Sequence, residues 1–435
     1  MATNKCKEPS TSAYLDVPFS MIPFEDECPS RPQETTPKGK KRHEGTPVCE
    51  AILNLLSDIL GSGLLALPYV VSQGGISALV SILVIPIICY YTGQILIDCL
   101  YEKSYNGVRY RVRHSYKEIG EACWPGYGGI ITVVIQGVKL FLSAASYIVL
   151  SAALISSMLQ DLGFGDRLWI LIAALVGLPM ILAKNLSQVA WLSLLSIAAL
   201  LAAVVVVSGY GYSQSRPWEL TVLPVASLAG TPFAISVVTF SYVAHGILPT
   251  IEENMTDRTR FNSMLAITYA FCAVLRTFFA INGFFSFYGN IHPVISNSLP
   301  ANSAIHVTVN ALLVAYSILC YPFLAVAAIQ ITERSIIPKC TFERIPSKVW
   351  YVCARVLITV ITVAIALLVP HFAALIAISG NLGAMTALIF PTLFHLRLKY
   401  EELSVWDIIL DFFVLVLGIA MFVIGSAIGI RQLLK

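Results

Sequence analysis

The chain has 435 residues, 57% of them hydrophobic and 12% charged, with a formal net charge of +3 and a mean hydropathy of +0.77. A water-soluble chain of this length needs far more charged surface, so the composition excludes a soluble globular protein and predicts an all-α polytopic membrane protein. The small net charge carries no nucleic-acid signal, and scattered cysteines without a C-x-x-C pair indicate neither a disulfide framework nor a zinc site.

Residues 1–46 are rich in Pro, Ser, Thr, Glu and Lys and cannot bury enough apolar surface to order themselves, so they read as a disordered cytoplasmic tail. Tyr14-Leu15-Asp16-Val17 fits a tyrosine-based sorting pattern for a cytosolic trafficking partner, a short match that also arises by chance. A transmembrane domain is expected over 47–435. A bilayer takes roughly 20 apolar residues per helix, and about eleven such runs follow. They predict spans at 51–72, 75–101, 128–158, 167–183, 187–211, 229–251, 263–288, 304–331, 348–369, 372–396 and 406–430. The connection 102–127 is long for a helix bundle, and its amphipathic segment Tyr116–Cys123 is expected to lie on the cytoplasmic surface, anchored by Trp124 and Tyr127. Positive residues concentrate in the connections after even-numbered spans, Arg109, Arg111, Arg113, Arg258 and Arg260 among them. That bias predicts a cytoplasmic N-terminus and, with an odd number of spans, a lumenal C-terminus.

Two of the apolar runs are interrupted. Gly61-Ser62-Gly63 breaks the first, and Ser241, Tyr242, His245, Gly246 and Pro249 break the sixth. Carriers built as inverted halves place broken helices at corresponding positions, so spans 1 and 6 predict a 5+5 inverted repeat, with halves at about 47–212 and 228–398 and an extra helix at 406–430. Unwinding strands backbone polar groups at several kcal/mol each, so it persists only where protein, water or ligand satisfies them. Glycines at 61 and 63 allow unusual dihedrals and close approach of a ligand. Freed N–H groups ahead of Leu64 suit a carboxylate, and freed carbonyls of the half-helix before the break and from Ser241 to Gly246 suit an ammonium, an arrangement matched by an amino acid. The competing explanation is that small residues let two helices pack closely.

Individual side chains carry two readings each. Asp58 either couples protonation to opening or faces an aqueous vestibule, and His245 is either a pH-responsive substrate contact or a neutral ring bonded to freed carbonyls. Lys139 and Arg276 are intramembrane cations that either pair with Asp58 or Glu50, gate the pathway or snorkel to the surface; Arg276 sits nearer mid-span as a candidate gating group, whereas snorkelling is expected of Lys139. Glu252 either pairs with Arg258 or Arg260 in a gate or ends its helix in water. Asn54, Tyr242 and Tyr316 are candidate substrate contacts, with packing as the alternative for the tyrosines. No phosphate loop and no Ser/His/Asp or metal-ligand cluster occurs, which argues against ATP drive and against an enzyme. An adjacent Ser/Thr pair for sodium is missing on span 8, where Ser317 and Cys320 stand apart.

The stretches LLALPYVVSQGG, CYYTGQILIDCLYE with VRYRVRHSY, FSYVAHGILPTIEENM and VPHFAALIAISGNLGAMTALIFPTLFHLRL resemble the amino acid/auxin permease superfamily, most of all its vesicular inhibitory amino acid transporter branch. The resemblance implies eleven helices of the leucine-transporter type. It also implies transport of small neutral amino acids such as GABA and glycine, driven by a proton gradient with chloride involvement left open. Ser62, Gly63 and Lys139 depart from that branch. The expected setting is a vesicular or endolysosomal membrane, with its lipid and the amino acid as partners. Plasma-membrane uptake, a sensor or a channel on the same scaffold are the alternatives.

Overall fold

A computed structural model describes residues 45–433 apart from 105, 160–161, 182–185, 214–219, 229, 302 and 336–346. The rest of the expected tail, including Tyr14–Val17, lies outside the described residues. The chain opens with α1 (Val48–Ile59), a 3₁₀ segment (Ser62–Ala66) and α2 (Leu67–Gly74), followed by α3 (Ile76–Asp98). A small antiparallel hairpin, β1 (Tyr101–Lys103) and β2 (Arg109–Arg111), pairs Glu102 with Tyr110 and leads to α4 (Tyr116–Cys123). Long helices α5 (Gly128–Met158), α6 (Asp166–Ile181) and α7 (Leu186–Ser213) precede two short ones, α8 (Gly230–Tyr242) and α9 (Leu248–Asn254). The chain continues through α10 (Phe261–Ser286), α11 (Ala304–Ser335), α12 (Ser347–Leu368), α13 (Phe372–Ala384), α14 (Phe390–Leu398) and α15 (Val405–Leu433).

Among the described residues, seven helices are long and apolar enough to cross a membrane: Ile76–Asp98, Gly128–Met158, Leu195–Ser213, Arg258–Ser286, Ala304–Ala328, Phe372–Leu398 and Val405–Gly429. The pair Val48–Ile59 and Ser62–Gly74 passes as one span, bent by 51° at its break. Outward-facing apolar side chains such as Leu83, Ile87, Val274, Phe278, Phe412 and Phe413 remain exposed, as a lipid-facing surface requires. Inside, α5 packs along α11, α13 packs against both α8 and α5, and α10 packs against α1 and α2.

Local sequence explains the irregular turns. Pro391 has no N–H for the carbonyl of Ala387, and the turn widens to a π helix over Met385–Ile389. The hairpin between α3 and α4 was not expected from the sequence; Asn106-Gly107 is its signal, with Gly107 at φ 75°. The amphipathic segment at 116–123 is helical as expected, with Ser115 capping the N–H of Glu118. Gly45 and Thr46, read from sequence as tail, are tied down. Thr46 N–H donates to the Asn254 carbonyl at 2.7 Å, and Thr256 N–H donates back to Thr46 at 3.0 Å.

Candidate functional site

At the first break, α1 ends at Ile59, and Gly61 takes extended backbone angles of φ −97° and ψ −177° before the 3₁₀ segment begins. Pro68 then opens α2, where a missing N–H costs nothing. At the second break α8 ends at Tyr242 and α9 starts at Leu248, with Pro249 in its first turn. Neither Gly61, Gly63 nor Gly246 has a positive φ, so the sequence expectation of unusual dihedrals is corrected. What glycine supplies at 63 and 246 is room. A Cβ on Gly63 would lie 2.3 Å from Ser241 Oγ, and one on Gly246 would lie 2.0 Å from the Gln136 amide nitrogen.

The carbonyls at both breaks are answered by side chains of this same chain. Arg276 is fully buried, donates from Nη2 to the Ile59 carbonyl at 2.6 Å and holds its guanidinium carbon 4.2 Å from the centre of the Tyr242 ring. Lys139 Nζ donates to the Val243 carbonyl at 3.2 Å, and the Tyr269 hydroxyl donates to the Tyr242 carbonyl at 3.2 Å. The expected snorkelling of Lys139 is therefore corrected, because its ammonium turns inward. On the first break, the Ser62 N–H donates to Tyr147 Oη at 3.3 Å, and Tyr147 bonds in turn to Tyr316 Oη at 2.9 Å.

Between the breaks lies a cavity of about 150 Å³. Asp58, Ile59 and Gly61 line it from the first break, and Ser241, Val243, Ala244 and Gly246 from the second. Gln136, Lys139, Ser143 and Tyr147 of α5 and Phe323 and Leu324 of α11 complete the wall. Of the residues expected from sequence, the structure thus brings Asp58, Gly61 and Ser241 to the cavity. Others go elsewhere. Asn54 is exposed on α1, and Ser62 and Gly63 are buried. His245 is buried with Nε2 2.9 Å from Thr92 Oγ1 on α3, and Tyr242 is buried with its hydroxyl donating to the Ile82 carbonyl at 3.1 Å. Tyr316 reaches the cavity wall through Tyr147.

Glu252 does not end its helix in water; it pairs with Arg258 at 4.0 Å, one of the two expected partners, and more closely with the hairpin. It is buried, and its closer partner is Arg111 of the hairpin, with Arg111 Nη1 at 2.7 Å; the Tyr101 hydroxyl donates to the same carboxylate. Arg260, the other expected partner, pairs instead with Asp257 at 3.2 Å. Burial, together with the bond to Glu252, raises the Tyr101 phenol above its ordinary value. Sequence reasoning missed Gln136, Lys139 and Tyr147 as wall residues, yet a signal existed. Positions 136, 139, 143 and 147 recur at steps of three and four and form one polar stripe along an otherwise apolar helix.

A multi-pass helical membrane protein with a small, largely apolar cavity bearing one carboxylate, one ammonium and a few hydroxyls, set between two interrupted helical stretches, has the build of a solute transporter. The family model described as transmembrane amino acid transporter protein matches residues 44–431, and the chain belongs to that family. It is 33% identical over 391 residues to the vesicular inhibitory amino acid transporter of Xenopus tropicalis, covering 87% of this chain and 74% of that protein. To the vesicular GABA transporter of Caenorhabditis elegans it is 29% identical over 396 residues, covering 89% and 80%. Among solved structures it is similar to the Eremococcus coleocola manganese transporter, with a TM-score of 0.49 and 13% identity over 89% of this chain and 86% of that one.

Proposed function

We propose that the chain is a secondary active transporter of small neutral amino acids, of the GABA and glycine type, working across a vesicular or organelle membrane. The observation that carries this reading is the cavity between the two helix breaks. Its volume of about 150 Å³ matches that of an engineered cavity, also about 150 Å³, that holds a molecule as small as benzene. Asp58, Lys139 and several hydroxyls supply both signs of charge and hydrogen-bond partners for a zwitterion. Eleven spans, ten of them in two inverted repeats, fit the helix order, with the first and sixth spans broken at 60–61 and 243–247. Rocking of the two repeats exposes the cavity alternately to each side of the membrane. A proton gradient drives accumulation, with lumenal protons exchanged for cytosolic substrate.

The test uses purified protein in liposomes with an acidic interior and follows entry of radiolabelled GABA, glycine, alanine and glutamine. Accumulation of one or more that a protonophore collapses is the expected result. Saturable binding without accumulation under any gradient would overturn transport in favour of sensing, and non-saturable flux would indicate a channel.

A further inference from the structure

We infer that Lys139 receives the substrate's carboxylate and Asp58 its ammonium, so that the site selects zwitterions of zero net charge. The inference rests on reading the cavity as the substrate site, and it gives the two ends of the substrate to side chains where the sequence had suggested freed backbone groups.

Several observations carry it. The freed backbone groups that were to hold the two ends of an amino acid are largely taken. The carbonyls of Ile59, Tyr242 and Val243 accept from Arg276, Tyr269 and Lys139, and the Ser62 N–H is bonded to Tyr147. Neutral hydroxyls on the wall are also engaged, Ser143 with Ser379 at 3.0 Å and Ser241 with the Val237 carbonyl at 3.1 Å.

Lys139 differs. An ammonium has three N–H donors, and among the described residues that of Lys139 meets one acceptor, the Val243 carbonyl. Two donors are left, and Lys139 lines the cavity, where a carboxylate oxygen fits. Among the described wall residues Lys139 is the one cation and Asp58 the one anion. They attract each other across the space, and their charged atoms stand more than 4.0 Å apart. The gap is where a ligand goes. Arg276 does not compete for the carboxylate, since it is buried against Ile59 and the Tyr242 ring and does not line the cavity.

The electrostatics then select the ligand class. Charge in a low-dielectric interior is costly unless balanced, and the empty cavity is balanced by Asp58 against Lys139. A zwitterion seated between them keeps the balance and gives each charge a closer partner. An acidic or basic amino acid leaves one unpaired charge inside the membrane and is disfavoured.

The experiment measures binding to purified full-length protein of GABA, glycine and alanine, of the half-ligands butyrate and butylamine, and of glutamate and lysine. Wild-type protein is expected to bind at least one zwitterion about tenfold or more tightly than any half-ligand or net-charged amino acid, the scale of one charge-assisted hydrogen bond. Lys139→Gln keeps a donor for the Val243 carbonyl but loses the charge, so it should bind GABA no better than butylamine. Asp58→Asn should bind GABA no better than butyrate, and Lys139→Arg should restore the preference for the carboxylate. A Lys139→Gln protein with an undiminished carboxylate preference overturns the inference and reduces Lys139 to a cap on Val243, while the site reading stands. Wild-type protein that binds no zwitterion overturns the site reading itself, and the inference falls with it.

Discussion

Gly61 and Gly63 stand two residues apart at the same break, yet the structure assigns them opposite tolerance to a single methyl group. A Cβ on Gly61 would meet Tyr147 Oη at 3.4 Å and the Ile59 carbonyl at 3.8 Å, ordinary contacts, on backbone that alanine adopts freely. Gly61→Ala is therefore expected to be neutral or stabilising by about 0.4–1 kcal/mol through reduced freedom of the unfolded chain. A Cβ on Gly63 would lie 2.3 Å from Ser241 Oγ and 3.0 Å from Phe240 Cδ1, within a packed helix contact. Overpacking of that kind costs about 1–3 kcal/mol, so the two variants should differ by about 2 kcal/mol. The assay is the thermal midpoint of each variant in the same detergent, read by loss of the monodisperse peak. Ser241→Ala in the Gly63→Ala background removes the nearest atom and should recover part of the loss, a non-additivity expected only of residues in contact. Equal midpoints for Gly61→Ala and Gly63→Ala, or no recovery by Ser241→Ala, would refute close packing as the reason for glycine at 63.

Arg276→Met leaves the Ile59 carbonyl with one donor fewer in a buried setting and should cost about 1–3 kcal/mol in thermal stability, with Arg276→Lys recovering part of it. Glu252→Leu leaves Arg111 with Glu253 at 3.6 Å as its remaining carboxylate and should cost about 1–3 kcal/mol, whereas the double variant Glu252→Leu/Arg111→Met should be milder than the single one. The raised Tyr101 phenol contributes stability that is full below its unfolded value of about 10 and is lost as pH rises through its folded value. Tyr101→Phe should accordingly flatten the alkaline limb of the stability profile. Asp411 on α15 accepts from the Tyr91 hydroxyl at 2.6 Å and lies 2.7 Å from His395 Nδ1, so Asp411→Leu should loosen α15 from α3 and α14, read as faster proteolysis near residue 400.

The places where helices stop were legible in the sequence because Gly and Pro act locally. Gly61-Ser62-Gly63 and His245-Gly246 with Pro249 each interrupt an apolar run, and the backbone departs from α geometry at both. The partners of the freed backbone groups were not legible, because they come from positions far along the chain. Arg276 lies 217 residues from Ile59, and Lys139 lies 104 from Val243. Charge inside an apolar run tells that a partner exists without telling which. The same holds for His245, whose place in the break suggested the cavity, while its ring reaches Thr92 across 153 residues. The α5 stripe lay between these extremes. Its spacing was readable, but with no motif to mark it, Lys139 alone drew attention, and snorkelling to the surface was favoured over pairing with Asp58 or gating.

The capping of both breaks has a consequence for ion dependence that can be argued through. An unwound helix in a membrane needs donors for its carbonyls, and a free metal cation is one way to supply positive charge there. In this chain Arg276 and Lys139 supply it covalently at Ile59 and Val243. The breaks are therefore held whatever salt surrounds the protein, and amino acid binding is expected to be unchanged when choline replaces sodium at constant ionic strength. Scintillation-proximity binding of radiolabelled GABA in the two salts measures this directly. A tenfold weakening in choline would show that a bound sodium ion completes the site and that the two side-chain cations are insufficient by themselves. Unchanged affinity in choline, combined with strong sodium dependence in Arg276→Met, would tie salt independence to the capping itself, since only an uncovered carbonyl gives the ion somewhere to bind.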